Sequence, residues 1–82
     1  MKQKGAARME FDNRDLVILV DQKYRNHREF AAAMGWTDQK TSYKLKSLKT
    51  WTVADVGKAI ENLCIRDGQI KRYFFTPKVQ EN

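Results

Sequence analysis

The chain has 82 residues, 41% of them hydrophobic, and a formal net charge of +6. That length carries one small core and one domain. The longest apolar run, Leu16 to Val20, is far too short to cross a bilayer, the basic start MKQKGAARMEF lacks the apolar stretch of a secretory signal, and Cys64, the single cysteine, excludes an internal disulfide and points to the cytoplasm.

Residues 1–10 are a small, polar, basic lead. They read either as a disordered tail or as an arm that reaches phosphates or the minor groove. Phe11 then stands before Asp12 and Asn13, either of which can cap a first helix over residues 13–23. Leu16, Leu19, Val20 and the stem of Lys23 face inward in that helix. The run LVILV is strand-like by propensity. Its flanking caps and helical neighbours favour a helix.

Asn26 caps a second helix, residues 27–34, anchored by Phe30 with Ala31 and Met34 on the same side. Gly35 ends it, since glycine enters the left-handed region without a Cβ penalty. Trp36 plugs the turn. Thr37 caps a third helix, residues 38–46, and Asp38 suits the dipole of its first turn. Placed at about 100° per residue, Thr41 and Leu45 share the inward side of this helix. Gln39, Tyr43 and Lys46 form the outward stripe, flanked by Lys40 and Ser42, with Lys44 to one side. No acid follows Asp38 on this helix. Residues 23–50 hold seven Lys or Arg against Glu29 and Asp38, so much of the net charge lies on this helix pair. Two capped helices, a tight turn and a basic, hydrogen-bonding outer face are the plan of a helix-turn-helix DNA reader.

Lys49 lies in an exposed loop and Trp51 is a core aromatic. Thr52 caps the fourth helix, with Asp55 placed for a capping box. Val53, Val56, Ile60 and Leu63 follow at spacings of 3, 4 and 3, with Ala59 widening the stripe. Gly57, costing about 1 kcal/mol relative to Ala, suits a close approach by a neighbour. Cys64 reads as a buried packing residue. Gln69 to Phe75 form a short last helix, which Pro77 stops, and 77–82 are a polar tail. Phe74 and Phe75 cannot both point inward on one helix, so one of them is a dimer contact.

The run Phe30-Ala31 through Met34-Gly35-Trp36-Thr37 is similar to the signature of Cro- and lambda-repressor-like helix-turn-helix proteins. The longer run from Gly35 to Lys46, Thr50-Trp51, and the ending Tyr73 to Gln80 resemble small Cro-like regulators of temperate phages of Gram-positive bacteria. The resemblance covers residues 11–80. It implies an all-α, compact five-helix lambda-repressor-like bundle whose DNA-binding domain spans 11–76. It also implies dimeric binding to double-stranded DNA at a partly palindromic operator, and transcriptional control in a phage or prophage. Carried over by position, Gln39, Ser42, Tyr43 and Lys46 face base edges, and Thr37, Lys40 and His27 lie near phosphates. Arg28, Lys44 and Lys49 join these as phosphate-neutralising cations. Thr41 stands where such proteins bury a larger aliphatic residue, and Trp36 where they carry a smaller one.

Enzyme chemistry finds no support: no Ser/His/Asp set, no metal-ligand cluster and no glycine-rich phosphate loop is written in the chain, and no cofactor or metal is implied. The alternative is a protein-interaction module of the same fold, either an antirepressor binding a phage repressor or an antitoxin binding a toxin. Single-strand or RNA binding would need aromatics gathered on one open face, and here they are scattered through core positions.

Overall fold

A computed structural model describes residues 10–78, and the basic arm and the end of the polar tail lie outside the described residues. Five helices follow one another: α1 (Arg14–Lys23), α2 (His27–Met34), α3 (Asp38–Lys46), α4 (Val53–Leu63) and α5 (Ile70–Phe74). Short 3₁₀ turns at Leu48–Thr50 and Asp67–Gln69 lead into α4 and α5. The LVILV run is helical because its burial repeats every four residues. Leu16 and Val20 are buried while Ile18 is 53% exposed, whereas a strand would put all three on one face.

Local chemistry sets most helix ends. The Arg14 backbone N–H donates to the Asp12 carboxylate at 2.8 Å, so Asp12 takes up the opening of α1. The Asn13 amide donates instead to the Leu45 carbonyl at 2.6 Å and ties α1 to the end of α3. The Asn26 side chain accepts the Glu29 N–H at 2.9 Å and starts α2. Gly35 closes α2 at φ 75°, and a Cβ there would lie 3.4 Å from the Lys58 ammonium. The left-handed backbone favours glycine, whereas a Cβ would meet only the movable tip of Lys58. Thr52 and Asp55 form a reciprocal capping box on α4, at 3.0 and 2.9 Å.

The core gathers Leu16, Val20, Phe30, Met34, Leu45, Ala59, Leu63, Ile65 and Phe74. An edge-to-face series of rings runs Tyr24, Phe30, Trp36, Trp51, Phe74, with centroids 5.4 to 6.1 Å apart. It joins α2, the α2–α3 turn, the loop before α4, and α5.

Several expectations are corrected. Phe74 is core, 2% exposed, and is not available as a dimer contact; Phe75 is 44% exposed and stacks edge-on against Phe11. Cys64 is exposed, because it caps α4 in the left-handed region (φ 56°) and hands the buried position to Ile65. Val53 is 91% exposed, since the first turn of α4 projects beyond the core that Ala59 and Leu63 reach. Gly57 is exposed with no atom within 4 Å of a built Cβ, so no neighbour approaches it. Lys23 is exposed rather than packed. The two ends of the described stretch also pair: Phe11 and Pro77 form an antiparallel bridge, Asp12 N–H donates to Thr76 O at 2.7 Å, and Lys78 N–H to Glu10 O at 2.8 Å. Residues 10, 77 and 78 are therefore bonded into the folded unit.

Candidate nucleic-acid interface

The α3 helix has two unlike sides. Thr41, Lys44 and Leu45 are buried, and Gln39, Lys40, Ser42, Tyr43 and Lys46 are exposed, Tyr43 to 61%. The helix opens at Thr37, whose hydroxyl accepts the Lys40 N–H at 3.0 Å. One turn later the buried Thr41 hydroxyl donates to the Thr37 carbonyl at 2.9 Å. Thr41 can thus stand where a larger aliphatic residue would pack, because its polar atom is satisfied within the helix. The four residues expected at base edges, Gln39, Ser42, Tyr43 and Lys46, are all in the exposed set.

Lys44 corrects the phosphate set. It is 7% exposed, and its ammonium donates to the Asp55 carboxylate at 2.7 Å and to the Thr50 carbonyl. It also lies 5.9 Å from the centre of the Trp36 ring. The Trp51 indole N–H donates to the Lys44 carbonyl at 2.7 Å. One residue therefore fastens α3 to the following loop, to the start of α4 and to two tryptophans. Burial alone would raise the Asp55 carboxyl, but the Lys44 ammonium and the Thr52 N–H outweigh it and hold the group below its ordinary value of 3.8. Helical angles carried the signal for this. Lys44 lies about 60° from Thr41, within the inward half of α3, and Asp55 was already drawn to the α4 cap.

The remaining cations differ in their engagement. Lys40 and Lys46 are exposed and make no ion pair among the described residues, and Lys40 hangs 5.9 Å from the Trp36 ring. Lys49 pairs with Glu10 at 3.0 Å, which holds the Glu10 carboxyl below its usual range. His27 meets Asp21 at 3.0 Å. Arg28 meets Asp38 at 3.3 Å, a bond from α2 to α3 that no local sequence signal marked. Asn26, His27, Arg28, Asp38 and Ser42 line one open cleft of about 380 Å³ where the starts of α2 and α3 converge. The amide, hydroxyl, phenol and ammonium of the α3 face can donate to base edges or phosphates, and the first three can also accept. The α2 start beside them offers backbone N–H groups and cationic side chains.

Among the described residues no helix is long and apolar enough to cross a membrane. No curated protein matches the chain. Residues 9–77 match the family described as "protein of unknown function (DUF739)", and the chain belongs to that family.

Proposed function

We propose that this member of the DUF739 family is a sequence-specific double-stranded DNA-binding regulator, a Cro-like repressor of a phage or prophage acting in the bacterial cytoplasm. It lays α3 in the major groove of a partly palindromic operator, two copies taking two half-sites. One observation carries the reading. Gln39, Ser42, Tyr43 and Lys46 emerge together on one side of a helix whose other side is bonded into the core. A helix held in that way can present side chains to a groove in fixed register. Gln39 is suited to a bidentate pair with adenine, and Tyr43 to a thymine methyl or a phosphate. Lys40, Lys46 and the start of α2 supply phosphate contacts.

Fluorescence titration against operator and scrambled duplexes tests this. Gln39→Ala with Tyr43→Ala is expected to cut the preference for operator by about tenfold or more. Lys40→Ala should weaken binding to all duplexes alike and flatten the salt slope by about one unit. Wild-type binding that is indifferent to sequence overturns the proposal.

A second reading rests on a different surface. Val53 and Phe75 are exposed beside a small cleft lined by Phe11, Leu48, Trp51 and Val56. An apolar patch of this kind suits a protein partner, so an antirepressor or antitoxin role is the alternative. Capture of a co-encoded repressor or toxin that is lost in Phe75→Ser, together with no DNA binding, would favour it.

A further inference from the structure

The Arg28–Asp38 pair stands apart from the other ion pairs because it joins the two helices at the mouth of the cleft they form. Arg28 Nε donates to Asp38 Oδ2 at 3.3 Å, and the side chains are 82% and 61% exposed. The outer end of the guanidinium and Asp38 Oδ1 make no bond to other described residues. An exposed pair of this geometry contributes little to stability. Asp38 also complements the α3 dipole as any first-turn acid would, but that effect does not require Arg28.

We propose that Arg28 and Asp38 act together as a reader of one C·G base pair. The inference rests on the reading that α3 enters the major groove by its N-terminal end. A carboxylate on a DNA-facing surface is repelled by phosphates, so it lowers affinity for every sequence unless a base supplies a donor. Cytosine N4–H is such a donor, and guanine O6 and N7 beside it are two adjacent acceptors. The protein pair is the complement: the free Asp38 oxygen accepts from cytosine, and the outer fork of Arg28 donates to both guanine atoms. Adenine N6 could also donate to Asp38, but an A·T pair places no two adjacent acceptors before the fork. The cleft of about 380 Å³ holding the pair leaves space for a base edge, with Ser42 one turn further along α3. Arg28 is thereby reassigned from phosphate to base.

The experiment is selection of bound sites from a random duplex library by the wild-type protein and by the Asp38→Ala, Arg28→Lys and Gln39→Ala variants. Thermal melting accompanies each to confirm folding. The expected result is a wild-type motif with one C·G position whose preference falls by about tenfold or more in Asp38→Ala and in Arg28→Lys. The other positions should persist in both variants, and Gln39→Ala should relax a different position. Asp38→Ala should also raise affinity for non-specific duplex, by removing a repulsion. An unchanged motif in Asp38→Ala, a uniform loss at every position, or an A·T preference at the affected position overturns the pair as a C·G reader while leaving the Gln39-dependent motif intact. A wild-type protein that enriches no motif overturns both this inference and the proposed function.

Discussion

Phe74→Ala should cost about 3–5 kcal/mol of stability, whereas its neighbour Phe75→Ala should cost about 1 kcal/mol. Phe74 is almost fully buried at the end of the ring series and touches Trp51 edge-on at 5.7 Å. Truncation there removes a large apolar side chain and leaves a cavity between α5, α1 and the loop before α4. Phe75 is 44% exposed and loses mainly its edge contact with Phe11. Small domains are stable by only about 5–15 kcal/mol, so Phe74→Ala should leave a marginal fold. Urea denaturation of both variants checks the contrast. Equal losses would mean that the two rings share the core.

Lys44→Ala should cost about 3 kcal/mol, at the lower end for a broken buried pair because Lys44 and Asp55 keep 9% and 15% side-chain exposure. The loss leaves Asp55 without its cation and the Thr50 carbonyl without its donor. Lys44→Met combined with Asp55→Asn should be less harmful than the two single changes added together, since no charge is then stranded and Asn can still accept the Thr52 N–H. Denaturation of the four proteins gives the coupling, and a coupling near zero would show that the pair does not act as a unit. The pair also has a pH signature. The Asp55 carboxyl is depressed in the fold, so its contribution is complete above the ordinary value of 3.8 and fades as pH falls through the lower folded value. The margin of wild type over Asp55→Asn should therefore persist at neutrality, begin to shrink as pH falls below 3.8, and be lost only below the lower folded value.

The Lys44 result bears on the proposal that α3 faces DNA. Lys44 looks from the sequence like one more surface lysine on a basic helix. In the fold it fastens that helix to α4 and to Trp36 and Trp51. Its ammonium lies too far inward for a phosphate, so the exposed cations of α3 are Lys40 and Lys46. The reassignment also means that α3 is held by directional bonds as well as by apolar burial. That offsets the small apolar area that Thr41 contributes, because a hydrogen-bonded ammonium and an indole donor resist rotation of the helix about its axis.

Caps, turn and periodicity were legible in the chain because each depends on residues within about one helical turn of each other. Asn26, Gly35, Thr37 and the Thr52–Asp55 box bound their helices as their residue types require, and the outward stripe of α3 followed from angle alone. Asp12 instead of Asn13 taking the first N–H of α1 was a choice between adjacent candidates that a remote partner, the Leu45 carbonyl, decided. Only the tertiary structure could choose between Phe74 and Phe75, give the inward Lys44 its partner Asp55, leave Val53 and Cys64 in solvent, join Phe11 to Pro77, and bring Arg28 against Asp38. The Lys44–Asp55 and Arg28–Asp38 pairs span 11 and 10 residues and cross from one element to another. Contacts of that kind depend on how packed helices approach, and no local propensity encodes that distance.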